Sequence, residues 1–321
     1  EAAWSMDYTD KRTWTELEGV TRKTGKWNDL LTAAQAALNE EQDPEVKIAL
    51  CLQCARWYGQ ELGHPEYAIP FYEQIRALDP TNVDAMVSTA DLYETTQQYD
   101  ELAQTLGQIV SMSDSPEIIA DTYVRMGDLS KGHLGQPAEA PNYYRKALDA
   151  HPSNQKAIEA LEKVYRQSGD DERLIDILQR KAQVVEDPDK NIAAKLQLAE
   201  AYETRGNTER AIDTYQQVRA ADDENLPALK GLERLYALTE RWQDLLGVLE
   251  SQLALVTSER ERVSTLVQLA GMWEEQFLKP DKAAERLEEV LEIDPTHSEA
   301  IHGLARLYRE QLKWDEVIET Y

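Results

Sequence analysis

The sequence predicts an all-α protein, an α-solenoid of antiparallel helix hairpins, and three observations predict it. An Asp-Pro-like punctuation recurs at Asp79-Pro80-Thr81-Asn82, His151-Pro152-Ser153-Asn154, Asp222-Asp223-Glu224-Asn225 and Asp294-Pro295-Thr296-His297, in steps of 72, 71 and 72 residues. A second series lies half a period away, at Asp43-Pro44, Ser115-Pro116, Asp187-Pro188 and Ser258-Glu259, in steps of 72, 72 and 71. Between punctuations the apolar residues follow the i, i+3, i+4, i+7 spacing of a helix, broken once by a polar turn. Each 72-residue unit is therefore two hairpins of about 36 residues, giving about nine hairpins in the chain.

In order, the hairpins are expected at 9–42, 43–81, 82–114, 115–153, 154–186, 187–224, 225–257 and 258–296, with a partial one at 297–321. The run Asp7-Tyr8-Thr9-Asp10 lies one step before Asp79, so residues 1–8 are expected to be the tail of a preceding hairpin. Asp43, Ser115, Asp187 and Ser258 are expected to start helices, because their side chains can accept hydrogen bonds from free first-turn N–H groups. A proline just after them has no N–H to leave unpaired and a φ already suited to a helix. Down the first helices, a large apolar column reads Leu17, Cys54, Thr89, Met126, Leu161, Leu198, Leu232, Leu269 and Leu304. Four residues on, a second column reads Thr21, Tyr58, Tyr93, Ser130, Tyr165, Tyr202, Tyr236, Trp273 and Tyr308.

The hairpins alternate in kind. In one kind Ala opens the second helix (Ala68, Ala140, Ala211, Ala283), where a small side chain permits close approach. In the other a bulkier residue stands there (Leu30, Leu102, Leu174, Leu245, Val317), usually after an aromatic turn residue (Trp27, Tyr99, Trp242, Trp314). The small column of that second kind holds Glu18, Ala90, Glu162, Glu233 and Ala305, so its hairpins are expected to be looser.

The pattern of a large residue, a small residue and Tyr in helix one, Ala and Tyr in helix two, then Asp-Pro, resembles the tetratricopeptide repeat. The fit is best over 188–222, where Leu198, Ala199, Tyr202, Gly206, Ala211 and Tyr215 stand at the family's spacing. Hairpins at 43–80, 115–152 and 258–295 carry one extra turn residue, as in Leu62-Gly63-His64-Pro65. The resemblance covers essentially the whole chain. It implies a right-handed superhelix with first helices lining the concave face, and a segment of a longer array, since Tyr321 falls on the Tyr215 column. Pentatricopeptide repeats have nearly this period but bind RNA and are basic; HEAT repeats are longer and lack the Ala-x-x-x-Tyr and Asp-Pro pairing.

Composition narrows the function. Lys plus Arg is 34 and Asp plus Glu 60, a net charge of −26; phosphate recognition needs a basic footprint, so nucleic acid is excluded as the expected partner. No apolar run approaches the roughly 18 residues of a membrane span. Cys51 and Cys54 alone make neither a disulfide framework nor a four-ligand zinc site and are expected to be buried core residues. The lack of a disulfide framework and of any Asn-x-Ser/Thr sequon leans towards a cytoplasmic protein. No metalloprotease, nucleophile-elbow or dinucleotide motif occurs, and the loop-like run Gly19 to Trp27 has its glycines one residue too far apart for phosphate binding. The chain is thus expected to be no enzyme, with no cofactor, metal or small-molecule substrate.

A protein or peptide partner remains. On the expected groove-facing positions the looser hairpins place Arg12, Arg22, Lys23, Lys156, Lys163, Arg166, Lys230, Arg234, Arg306 and Arg309. The tight hairpins, together with the one at 83–117, place Asp84, Asp91, Glu94, Asp121, Asp128, Glu200, Glu203, Glu274 and Glu275. Two readings stand: the bands pair with each other between repeats, or they read a partner of complementary charge, including an acidic segment. For the second, the candidate partner-binding residues are Arg56, Lys156, Lys163, Arg166, Lys230, Arg234, Arg306 and Arg309. The chaperone-tail clamp of some family members is not reproduced, since Arg234 stands where Asn is required beside Lys230. The expected role is a non-catalytic scaffold, bacterial by its Arg/Glu/Ala-rich style, assembling a motility, secretion or signalling machine. A regulatory arm of a larger enzyme such as a kinase, or an envelope-associated periplasmic array, are the alternatives.

Overall fold

A computed structural model describes residues 10–320; the hairpin tail expected at 1–8 and Tyr321 lie outside them. The described residues form eighteen α-helices and no strand. They pair in chain order: α1 (Lys11–Thr24) with α2 (Trp27–Glu40), α3 (Pro44–Arg56) with α4 (Ile69–Leu78), α5 (Val83–Thr95) with α6 (Tyr99–Met112), and α7 (Pro116–Gly132) with α8 (Ala140–Ala150). Then come α9 (Gln155–Ser168), α10 (Asp171–Val184), α11 (Pro188–Thr204), α12 (Thr208–Ala221), α13 (Leu226–Leu238), α14 (Trp242–Leu255), α15 (Glu259–Glu275), α16 (Pro280–Ile293), α17 (Ser298–Glu310) and α18 (Trp314–Thr320). This is the α-solenoid plan of successive hairpins. The chain divides into two compact units, the first ending at Val164 and the second beginning at Tyr165.

Helix starts follow the punctuation. Asp43 accepts a hydrogen bond from the Glu45 N–H at 2.9 Å, Asp187 from Lys190 at 2.9 Å and Ser115 from Ile118 at 3.4 Å, each ahead of a proline. Ser258 occupies the same place without that bond. The half-period partners Asn82, Asn154 and Asn225 cap α5, α9 and α13 through their side-chain oxygens, at 2.9, 2.9 and 3.1 Å. His297 does so for α17 through Nδ1. The two series therefore mark the starts of all first helices from α3 onward.

Helix ends follow the aromatic column. The carbonyls of Tyr93, Tyr165, Tyr202, Tyr236 and Tyr308 each accept the N–H five residues on, with the residue between, at position four, in the left-handed conformation. This is the Schellman stop, which satisfies carbonyls left free at a helix end. In the hairpins with one more turn residue the bond spans six: Tyr58 to His64, Ser130 to Gln136 and Trp273 to Lys279. In the first of these the surplus is taken up as a π-helical turn, Trp57–Glu61. Gly63, Gly135, Gly169 and Gly206 fill this left-handed place without cost, but Gln97, Glu240, Leu278 and Leu312 also occupy it, with φ of 60, 55, 53 and 60°. For a side chain with a Cβ this conformation costs about 1–2 kcal/mol, part of which glycine returns through its looser unfolded chain. Glu240→Gly and Leu278→Gly are each expected to raise stability by about 0.5–1 kcal/mol. Urea unfolding checks this, and an unchanged or lower midpoint in both would refute it.

From α5 onward the alternation shows in length. The first helices α7, α11 and α15 have 17 residues, whereas α5, α13 and α17 have 13 and α9 has 14. In the second unit one continuous core joins Leu198, Ala199, Tyr202, Ala211, Tyr215, Leu232, Tyr236, Leu269, Trp273, Leu304 and Tyr308. In the first unit Cys51 and Cys54 are fully buried in a core with Trp14, Trp57 and Phe71. Burial pushes their thiols up to about 11 and about 12, so neither is a ready nucleophile. Among the described residues no helix is long and apolar enough to cross a membrane.

Candidate functional site

The site begins with the face that each first helix presents beside the next, where the charge bands meet. In the first unit Arg125 of α7 reaches back to Asp91 and Glu94 of α5, at 2.8 and 2.7 Å. Lys156 at the start of α9 meets Asp121 of α7 at 3.2 Å, and the same carboxylate accepts the Asn154 amide at 2.8 Å. In the second unit Arg234 of α13 holds Glu203 of α11 through two parallel bonds of 3.0 Å, and Arg306 of α17 grips Glu274 of α15 through both guanidinium nitrogens, one at 2.9 Å. Planar guanidinium and carboxylate forks match in this geometry. The Arg234 bonds hold the Glu203 carboxyl below its usual range. Glu203 also accepts the Tyr215 hydroxyl at 3.2 Å, so one carboxylate ties two hairpins together.

A second row of pairs runs through the turns of the second unit. Arg205 meets Glu172 at 3.6 Å, Arg241 meets Glu209 at 2.5 Å and Lys313 meets Asp281 at 3.5 Å. In each, a cation at or beyond the end of one first helix bonds an acid in the first turn of the preceding second helix. Such an acid also sits well against the positive end of the helix dipole.

The glutamates in the small column have a different use. Glu18 of α1 is 4% exposed, and its carboxylate accepts from the Gln53 amide, from Trp57 Nε1 at 2.8 Å and from Arg56 at 3.1 Å, with Arg22 at 3.7 Å. Arg22 in turn grips Glu61. Glu233 of α13 accepts the Gln252 amide at 2.8 Å. The carboxylates thus act as receivers for groups of the following hairpin or second helix, where Ala would supply only close approach. Sequence columns expose the departure but not the donors, which lie 19 to 39 residues away.

Four of the eight predicted partner-binding bases, Arg56, Lys156, Arg234 and Arg306, therefore meet a carboxylate of the adjacent hairpin. Lys163, Lys230 and Arg309 are exposed and have no ion pair among the described residues, while Arg166 is exposed but not free. Residues Gly19 to Thr24, the start of the loop-like run, are helical, and Gly25 ends α1. No cluster of three or more metal-ligating side chains is present among the described residues.

The aromatic columns finish the face on its inner side. Tyr144 donates to Asp128 at 2.7 Å, Tyr308 to Glu288, and Tyr93 lies 3.4 Å from Glu73. Burial first, and these carboxylates second, push the phenols of Tyr93, Tyr144, Tyr215 and Tyr308 above the usual tyrosine range. A phenol whose folded pKa is raised stays protonated while the unfolded chain ionises, so stability is full below pH about 10 and falls as the pH rises beyond it. The urea midpoint is expected to drop between pH about 10 and 11 together with the late tyrosinate absorbance. Tyrosine ionisation completed without unfolding would contradict this.

Known proteins can be set beside this geometry. The tetratricopeptide-repeat family model matches residues 157–192, 195–227 and 228–263 in tandem. No curated protein matches the chain. Among solved structures, a tetratricopeptide repeat protein from Parabacteroides merdae is 14% identical, with a TM-score of 0.40, covering 81% of this chain and 98% of that one. The C-terminal part of a repeat-containing protein from Cytophaga hutchinsonii is 16% identical, with a TM-score of 0.39, covering 78% and 98%. At these identities the likeness concerns the fold alone.

Proposed function

From the premise that the chain carries tandem tetratricopeptide repeats, we propose that it is a non-catalytic scaffold that holds a partner segment bearing carboxylates against its first-helix faces. Repeats of this family serve as protein–protein interaction scaffolds, and the chain is of that general kind. One observation carries the finer reading. In a protein of net charge −26, α13 and α17 expose Lys230 with Arg234 and Arg306 with Arg309, and Lys230 and Arg309 have no carboxylate of their own among the described residues. The Arg234 and Arg306 pairs are open to water, where such a pair contributes at most about 1 kcal/mol, so an incoming carboxylate can share the guanidinium.

Arg234 and Arg306 also join hairpins, so reversing their charge mixes binding with stacking. Lys230 and Arg309 separate the two. Lys230→Glu/Arg309→Glu is expected to leave the fold intact by circular dichroism and to lose the partner that the unaltered protein co-purifies from its native cell. Retention of the same partner set by the double variant would end this assignment.

A further inference from the structure

A cleft of about 460 Å³ in the first unit opens between α2 and α4. Its walls are Gln35, Leu38 and Asn39 of α2, Tyr58 of the π-helical turn, Tyr67 of a short 3-10 turn (Pro65–Tyr67), and Pro70, Phe71 and Gln74 of α4. Tyr58 stacks on Phe71 with ring centroids 5.7 Å apart and takes the edge of Tyr67 at the same distance, 5.7 Å, so the rings form one platform. Tyr67 is 55% exposed although it belongs to this cluster.

Two features of the cleft are chemical rather than geometric. Its wall carries no carboxylate, amine, guanidinium or imidazole, in a chain where 29% of residues are charged. Its polar groups are also idle. The side-chain amides of Gln35 and Asn39, one helical turn apart and both exposed, make no hydrogen bond among the described residues, nor do the hydroxyls of Tyr58 and Tyr67; the Gln74 side chain receives only the Cys51 thiol at 3.5 Å. A helix offers its own side chains but keeps its backbone groups paired, and a β-strand needs an open strand edge, which a helical cleft lacks. A polyproline II segment meets both features. It has no internal hydrogen bonds, so its carbonyls remain free to accept from carboxamides and phenols, and its pyrrolidine rings pack on aromatic faces. Exposed Glu40, Glu66 and Glu73 adjoin cleft residues in the sequence and favour cations beside the prolines.

We propose that this cleft docks a proline-rich segment of a partner protein in the polyproline II conformation, flanked by Lys or Arg, with Tyr67 as its anchor. Of the three hairpins with an extra turn residue, this one takes it up as a π-helical turn. The π-helical turn and the 3-10 turn that follow α3 carry Tyr58 and Tyr67 to the mouth of α4.

The test uses the whole protein and a fluorescein-labelled peptide of about eight prolines between paired lysines, followed by fluorescence polarisation, with a peptide of the same charge but Gly-Ser in place of proline as control. Saturable binding of the proline peptide, absent for the control and at least about tenfold weaker for Tyr67→Ala, is expected of an anchor residue. Tyr67→Phe should retain most of the affinity, since the ring face remains. Lys230→Glu/Arg309→Glu, which lies in the other unit, should bind the peptide like the unaltered protein, so this site and the first-helix faces stand or fall separately. No binding, equal binding of the Gly-Ser peptide, or an unchanged affinity in Tyr67→Ala that still folds by circular dichroism would each overturn the proposal.

Discussion

Gly231→Ala is expected to destabilise the second unit by about 2 kcal/mol, although alanine is the better helix former by about 1 kcal/mol. Gly231 lies inside α13, where helix propensity alone favours the change. A Cβ there, however, would sit 2.5 to 2.8 Å from three atoms of the Tyr215 ring. Tyr215 is 1% exposed and packed in the core of the second unit. Its hydroxyl also holds Glu203, which holds Arg234 on α13 itself. Moving the ring therefore loosens the contact between α12 and α13 and the ion pair between α11 and α13 together. The next period supplies an internal control. Leu287 stands one period, 72 residues, after Tyr215, and Gly303 likewise follows Gly231; a Cβ at Gly303 would meet Leu287 at 3.0 Å. A leucine side chain has rotamers to yield with and no hydroxyl partner to lose, so Gly303→Ala is expected to cost less than half as much. Urea unfolding of both variants checks the pair, and equal effects would refute the role of the tyrosine ring.

The second large effect concerns Glu18. Its replacement by alanine removes an acceptor that serves the Gln53 amide, the Trp57 indole and the Arg56 guanidinium at once. Gln53 and Trp57 are buried, so their polar hydrogens lose this partner inside the core. Each such orphan costs about 1–3 kcal/mol, whereas the half-exposed guanidinium groups of Arg56 and Arg22 return to water. A loss of about 3 kcal/mol is expected in the first unit, and less for Glu18→Gln, which keeps the shape and one oxygen. Trp57 lies 5.9 Å from Trp14 and 6.4 Å from Trp27 between ring centroids, so tryptophan emission reports this segment directly. A shift below about 0.5 kcal/mol in Glu18→Ala would show that solvent or a neighbour replaces the carboxylate.

Much of the fold is legible in the sequence because it is made of local events. A helix start is decided within four residues, so Asp43, Ser115 and Asp187 could be recognised from type and spacing alone. The buried columns repeat every half period, so Leu198, Tyr202, Ala211 and Tyr215 declare the inner faces of two helices. The asparagines at 82, 154 and 225 were legible as punctuation; that their side chains cap the following helices emerges only with the turn in place.

The site was legible as composition and not as pairing. The bands of bases and acids on first helices stand in the sequence, but whether Arg234 faces a partner or Glu203 depends on two helices brought side by side 31 residues apart. Glu18 and Glu233 appeared as residues too large for a small column, and their donors came into view only when the next helices were packed. The cleft at Tyr58 and Tyr67 depends on where one surplus residue in a turn is absorbed.

By itself, then, the sequence determined the class of fold, the period and kind of its hairpins, the starts of its helices and the residues of its core, because these follow from short-range hydrogen bonding and from apolar periodicity. The tertiary structure decided which charges are spent on stacking and which stay free, why glutamates stand in a column for small residues, and where glycine must yield to a tyrosine ring. Those outcomes depend on contacts between residues far apart in the chain, and such contacts exist only after the helices have packed.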